Sequence, residues 1–308
     1  GEDLSGTLDV MDVTRVLTEL ACECVESALP VALARHGLKG EGIFAVALGK
    51  MGAFELNYSS DIDFVIFYEP DLFDGGERSP GEAAQRVARD IVRMFDEMTE
   101  DGYIFRTDLR LRPDPSSTPL AVSTAMADVY YESIGQNWER MVWIKARPAA
   151  GDLAAAARLM RRMEPFVWRR NLDYWAIGDI QAIKRMINTK AGARAFNIPG
   201  PDIKLGPGGI REIEFFVQTQ QLILGGRRPE LRDNTTLGAM EAPGDGLAAG
   251  LGGWFRAQEL EGEVLLNTKP GVGVLPELIP FPSSPSSCRP QQAARTVPAP
   301  TSSTTAQD

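Results

Sequence analysis

Two apolar runs set the frame of this chain. Ile43-Phe44-Ala45-Val46-Ala47-Leu48 stops at Gly49, and a second run ends at Tyr68 after a short polar loop. A continuous apolar run closed by glycine reads as a buried strand. The second reads as a strand from Asp61 to Tyr68, and it opens with two carboxylates, Asp61 and Asp63. Successive strand side chains alternate faces, so these two acids point the same way. Like charges at that spacing repel unless a cation lies between them. A divalent metal is the simplest answer. A metal beside a tight glycine turn points to phosphoryl or nucleotidyl transfer.

The flanking sequence supplies the other elements. Residues 11–36 carry Val13, Val16, Leu17, Leu20, Ala21 and Val25 at helical spacing, with Pro30 expected to end or kink the helix. Residues 82–98 place Ala83, Val87, Ile91, Met94 and Phe95 on one helical face. Tyr103 to Leu111 reads as a third strand, closed by Pro113. Strand, loop, strand, helix, strand predicts an α/β (α+β) architecture, a mixed sheet covered by helices. From residue 123 the pattern turns helical, with helices expected over 124–134, 152–163, 174–189 and 209–224. Gly208-Gly209 and Gly225-Gly226 punctuate the last of these. From Met240 onward the chain is rich in Pro, Gly, Ser and Ala, which predicts a disordered tail over 241–308.

Composition narrows the function. The 308 residues allow about two domains. A hydrophobic content of 44% and a charged content of 24% fit a soluble globular protein. The formal net charge of −10 makes a long nucleic acid a poor partner. No apolar run reaches the ~18 residues of a membrane span and no secretory signal opens the chain, so a cytoplasmic location is expected. Cys22, Cys24 and Cys288 do not make a zinc set and read as free thiols in a reducing compartment. His36, the only histidine, reads as a complement to the end of the first helix, which argues against a Ser-His-Asp or Cys-His engine.

A third acid, Asp108, lies in Arg106-Thr107-Asp108-Leu109-Arg110-Leu111-Arg112. Strand alternation puts Arg106, Asp108, Arg110 and Arg112 on one face. An acid among guanidiniums fits a site for metal and phosphate charge, and an exposed edge strand with alternating charges is the plainer alternative. Gly49 permits a tight turn whose neighbours offer N–H groups to a phosphate. Lys50 adds positive charge there, and Ser59 and Ser60 bring hydroxyls beside the carboxylates. A second constellation runs from Ile203 to Gln218. Gly208-Gly209 opens a helix whose amino end suits an anion. Ile210, Ile213, Val217 and Leu224 form an apolar stripe, and Glu214, Gln218 and Gln221 share a polar face. Lys204 and Arg211 could meet phosphate, as could Lys145 and Arg147; a capped helix packed on the core is the plainer reading of the 209–224 segment.

The sequence Gly-Lys-Met-Gly-Ala-Phe-Glu-Leu-Asn-Tyr-Ser-Ser-Asp-Ile-Asp at 49–63 resembles the nucleotidyltransferase signature of the bifunctional glutamine synthetase adenylyltransferase/adenylyl-removing enzymes. The resemblance continues through Asp101-Gly102-Tyr103, Arg106 to Pro113, Tyr130-Tyr131, Trp138-Glu139-Arg140, Lys145-Ala146-Arg147 and Lys204 to Gln218. It covers roughly residues 11–240. The form Leu-Gly-Pro-Gly-Gly-Ile-Arg-Glu-Ile-Glu-Phe, with Glu212 where the attaching half tends to carry Asp, is similar to the adenylyl-removing, amino-terminal half. A truncated version of that half is thus implied.

The chain is thus expected to comprise a helical segment at 1–40, a nucleotidyltransferase core at 41–122, a helical subdomain at 123–240 completing the catalytic module, and a low-complexity, disordered tail at 241–308 that does not resemble the family. It implies phosphorolysis of adenylylated glutamine synthetase, with phosphate entering and ADP leaving. Asp61, Asp63 and Asp108 would bind Mg²⁺, two ions in the expected arrangement. Gly49, Lys50, Ser59, Ser60, Arg106, Arg110, Arg112, Lys204 and Glu214 would contact nucleotide (AMP, ADP or ATP) or phosphate. Glutamine synthetase is the implied partner, and a PII-type signalling protein a further one. ATP-dependent adenylylation of a glutamine synthetase tyrosine is the nearest rival. A non-catalytic module that binds either protein is another.

Overall fold

The computed structural model describes residues 6–170, 209–242 and Leu247. The expected helix at 174–189, Lys204 and most of the 241–308 segment lie outside the described residues.

The first helix, α1 (Val10–Arg35), passes through Pro30 and continues to Arg35. A proline removes one helical hydrogen bond. Leu29, Ala32 and Leu33 around it are buried, and that packing carries the helix onward. The buried stripe is Val13, Ala21, Val25 and Leu29, whereas Val16 and Leu20 face outward, contrary to the sequence expectation. Strand β1 (Ile43–Ala47) leads into a single helical turn, α2 (Gly49–Gly52), and then β2 (Ile62–Tyr68). Helix α3 (Pro80–Asp96) begins with a reciprocal capping box between Ser79 and Glu82 and has Pro80 in its first turn, where the missing N–H costs nothing.

The expected third strand contracts to β3 (Thr107–Asp108). Beyond it the chain turns, because Arg112 curls back onto the carbonyls of Leu109, Pro115 and Thr118 rather than extending a ladder. Three elements between residues 109 and 152 went unseen in the sequence. These are β4 (Ala121–Ser123), α5 (Asn137–Ile144) and β5 (Arg147–Gly151), which bracket α4 (Thr124–Ser133). Each is short, and β5 contains Pro148 among small residues. Proline is tolerated there because β5 pairs with β1 alone, with a register shift between Ala45 and Val46. Helices α6 (Leu153–Val167), α7 (Ile210–Leu224) and α8 (Thr236–Met240) complete the described chain, with a short 3-10 turn at Pro229–Leu231.

The sheet is mixed, as expected. Its order is β3-β2-β1-β5, with β4 also on β2. β1 is antiparallel to β2 and β5, and β2 is parallel to β3 and β4. Strand alternation builds a core on each face. Ile43, Ala45, Ile62, Phe64 and Ile66 pack with Val25 and Leu29 of α1 and Val87, Ile91 and Phe95 of α3. Phe44, Val46, Val65 and Phe67 pack with Tyr131, Trp143, Leu159, Phe215 and Leu222. Each large apolar side chain fully buried here contributes about 1.5–3 kcal/mol. The two layers therefore hold β2, and the acids at its start, firmly. No helix among the described residues is long and apolar enough to cross a membrane.

Candidate active site

The parallel pairing of β2 with β3 sets Asp63 opposite Asp108 and Ile62 opposite Thr107. Asp63 shares its strand face with Val65 and Phe67, the face covered by α4 to α7. The carbonyl of Asp63 accepts from the Leu48 N–H at 2.9 Å, which ties it to the glycine turn. Gly49 itself has φ +52°, and a β-carbon there would stand 2.6 Å from Oδ2 of Asp63. The turn thus presses its bare α-carbon against the acid, a closer contact than any other residue allows.

Asp61 lies just ahead of β2, half-exposed, and accepts from Nε of Arg106 at 2.5 Å. Arg106 also donates to the Ser59 carbonyl at 2.6 Å. Asp108 accepts from the guanidinium of Arg110 and from its backbone N–H at 2.8 Å. Asp63 is the most enclosed of the three. Burial first, then the charges of Asp108 and Asp61, push its carboxyl up to about 7, against the pull of Arg110 and Lys50. For Asp108 burial acts in the same upward direction, but the hydrogen bonds from Arg110 outweigh it and hold the carboxyl below the usual carboxylate range.

A hard divalent cation takes anionic oxygens. Asp63 offers a carboxylate whose ionised form is opposed by burial and by two neighbouring acids, the condition that a bound cation relieves. Carboxylate oxygens are the donor type that Mg²⁺ takes. Among the described residues the acids do not already close into a compact ligand cluster. Arg106 and Arg110 occupy oxygens of Asp61 and Asp108 instead.

Beside the acids an open cleft of about 410 Å³ is lined by Asp61, Asp96, Arg106, Asp108, Arg110 and Arg112, among others. It opens on the β3 side and does not include Asp63. Three guanidiniums at one wall suit phosphate oxygens. Arg112 is the least available of them, since its nitrogens already serve loop carbonyls. The exposed loop before β2 is locally built: Ser60 Oγ donates to Asn57 Oδ1 at 2.8 Å, and Ser59 is exposed. Lys50 lies in α2, close enough to favour the ionised form of Asp63.

Other candidates are placed away from this cleft. Lys145, considered for phosphate, is buried and donates to Glu55 at 2.7 Å, Glu214 at 3.0 Å and Thr236 at 3.3 Å. Burial opposes its charge, but the two carboxylates prevail and raise its pKa. Glu214, expected at the nucleotide, is thus engaged by an ammonium. Arg147 donates to the carbonyls of Met51 and Gly52 and stacks over the Phe54 ring at 3.9 Å. Gln221, expected on a polar face, is buried and donates to the carbonyls of Leu231 and Asp233, and Ile210 of the expected apolar stripe is half-exposed. Glu55 had escaped notice. Its signal was an acid isolated among Ala53, Phe54 and Leu56, directly after the glycine turn.

A mixed sheet that sets two acids side by side on neighbouring strands, next to a glycine turn and an arginine-lined cleft, suits a transferase acting on phosphate esters. Comparison with known proteins fixes the class. The family model described as glutamate-ammonia ligase adenylyltransferase matches residues 1–162, and one described as GlnD PII-uridylyltransferase matches residues 181–249. The chain is similar to the bifunctional glutamine synthetase adenylyltransferase/adenylyl-removing enzyme of Caulobacter vibrioides, 52% identical over 254 residues, covering 78% of this chain and 26% of the relative. The enzymes of the same name from Mesorhizobium japonicum and Agrobacterium fabrum are 47% and 48% identical, over 79% and 78% of this chain and again 26% of each relative. The chain belongs to the glutamate-ammonia ligase adenylyltransferase family, a family of nucleotidyltransferases. It spans about a quarter of the length of these curated relatives.

Proposed function

We propose that this chain is a Mg²⁺-dependent nucleotidyltransferase that removes AMP from a tyrosine of adenylylated glutamine synthetase by phosphorolysis. The observation that carries the reading is the Asp63–Asp108 pairing across β2 and β3, beside Gly49. The substrate comes from the name shared by the relatives. The direction comes from the Leu205–Phe215 form with Glu212, which resembles the removing half.

In the proposed reaction a phosphate oxygen bonds to the AMP phosphorus as the bond from phosphorus to the tyrosine oxygen breaks. ADP leaves, and the tyrosine oxygen regains a proton. Asp61, Asp63 and Asp108 would hold Mg²⁺, which when bound neutralises charge on the entering and departing oxygens. Arg106 and Arg110 stand at the cleft, where they would orient phosphate in line with the scissile bond. The glycine turn fixes Asp63 so that little reorganisation is needed as charge develops.

Adenylylated glutamine synthetase mixed with this chain and inorganic phosphate, with and without Mg²⁺, is the direct test. ADP release that requires Mg²⁺ is expected. ADP release unaffected by chelation would overturn the metal assignment. Labelling of unmodified synthetase by ATP, with no phosphorolysis, would instead establish the forward reaction. Binding to glutamine synthetase or a PII-type protein without any turnover would make the chain an interaction module.

A further inference from the structure

Buried Lys145 and the half-buried Glu55 and Glu214 form an ion triad whose members come from three separate parts of the chain. Lys145 follows α5, Glu55 follows the glycine turn, and Glu214 lies on α7. The lysine side chain is only 6% exposed. Glu55 uses its second oxygen to accept from the Thr236 N–H at 2.7 Å, at the start of α8. Asn234 donates to the Gly52 carbonyl at 3.3 Å. Arg147 holds the same turn, through the carbonyls of Met51 and Gly52 and the Phe54 ring. Gly52 packs so tightly against the Lys145 carbonyl that a β-carbon would lie 1.9 Å from it. At the other end of this turn Gly49 touches Asp63.

The triad therefore connects two regions matched by two different family models. Glu55 and Lys145 fall in residues 1–162 or beside α5 within them, and Glu214 and Thr236 fall in residues 181–249. A buried lysine with two carboxylates has no counterpart charge in water to fall back on. Losing it would leave two acids facing each other in a poorly solvated place. Such an arrangement favours one position of the Glu55 segment over others.

We propose that Lys145 is a positioning residue: by joining Glu55 to Glu214 it fixes the Gly49–Glu55 turn, and through Gly49 the carboxylate of Asp63. The segment carrying α7 and α8 is then a structural part of the nucleotidyl-transfer site rather than an appended module. This rests on the nucleotidyltransferase reading for its activity readout but not for its structural one.

The test compares Lys145→Met, Lys145→Arg and Glu214→Gln in the full chain. Amide hydrogen exchange over residues 49–60 is the first readout, with α3 as internal reference. Lys145→Met is expected to speed exchange over 49–60 and leave α3 unchanged, and Lys145→Arg to restore most of the protection. Phosphorolysis is the second readout. Lys145→Met is expected to lower kcat about 100-fold, the order of loss for a small misplacement of reacting groups, with KM for phosphate little changed. Unaltered exchange at 49–60 in Lys145→Met would overturn the proposal, as would equal acceleration across α3. If Lys145→Met fails to fold, Glu214→Gln, which keeps the shape and a hydrogen-bond acceptor, is decisive: faster exchange confined to 49–60 supports the proposal and wild-type exchange refutes it. Altered exchange with no phosphorolysis in any variant, wild type included, would sink the functional reading while leaving the strut intact.

Discussion

At the scale of single residues, Asp63 carries most of the consequence. Its carboxyl titrates near 7 in the folded chain because it is buried and faces Asp108 and Asp61. An unfolded aspartate titrates near 3.9. Between roughly pH 4 and pH 7 the folded chain holds a proton that the unfolded chain has lost, so stability falls as pH rises through that window. The shift corresponds to at most about 4 kcal/mol. In metal-free buffer at pH 8, Asp63→Asn should therefore melt at a higher temperature than the parent, and the difference should vanish at pH 4. The same variant should lose phosphorolysis by about 100- to 1,000-fold, the usual range for removing one electrostatic group at a reacting centre. A pH series of thermal melts and a turnover assay check the two halves. Asp61, expected on the same strand as Asp63, lies in the loop before it, but the place of Asp63 at the head of an apolar run was readable in advance. The role of Lys145 was not. A lysine near an arginine in sequence looks like a phosphate contact, and only the fold reveals that Glu55 and Glu214 already enclose it.

At the scale of elements, the two glycines of α2 separate function from folding. Gly49→Ala adds a β-carbon against a side-chain oxygen in a left-handed backbone, at about 1–2 kcal/mol for the conformation alone. The Asp63 carboxylate can swing aside, so activity should suffer more than stability. Gly52→Ala drives a β-carbon into the backbone carbonyl of Lys145, which cannot swing. It should cost more stability than Gly49→Ala, visible as a lower melting temperature. Ser79→Ala is the control. It removes the capping box of α3, far from the cleft, and should cost about 1 kcal/mol with turnover intact. Strongly apolar or patterned elements such as β1, β2 and α3 were legible in sequence for the same reason they are stable: β1 and β2 are runs of buried apolar side chains, and α3 repeats its buried residues at helical spacing. β3, β4, α5 and β5 are short and take their form from neighbours. Thr107-Asp108 becomes a strand because β2 offers a ladder, and β5 accepts Pro148 because its outer edge is unpaired.

At the scale of the molecule, the sheet acts as a platform with a hydrophobic layer on each side, and the acids emerge at one end of it. If they take up Mg²⁺ in the folded state alone, added metal should raise the melting temperature by mass action. At a hundredfold excess over its dissociation constant the gain is about 2.7 kcal/mol. Asp63→Asn should abolish that dependence. Differential scanning fluorimetry across a MgCl₂ series would show a rising parent curve and a flat variant curve. A parent that is flat as well would remove the metal from the proposal. The turn to helical sequence at about residue 123 was legible, although β5 returns to the sheet beyond it. The Lys145–Glu214 ion pair was not, since it joins side chains more than sixty residues apart.

Because Asp63 and Asp108 hang from one strand pairing, thermal breathing of the sheet carries them together. The spacing between them is thereby set by backbone pairing. Asp61 belongs to the preceding loop and is tethered by an exposed arginine instead. Of the three acids it alone is held by a side chain rather than by the sheet's backbone ladder.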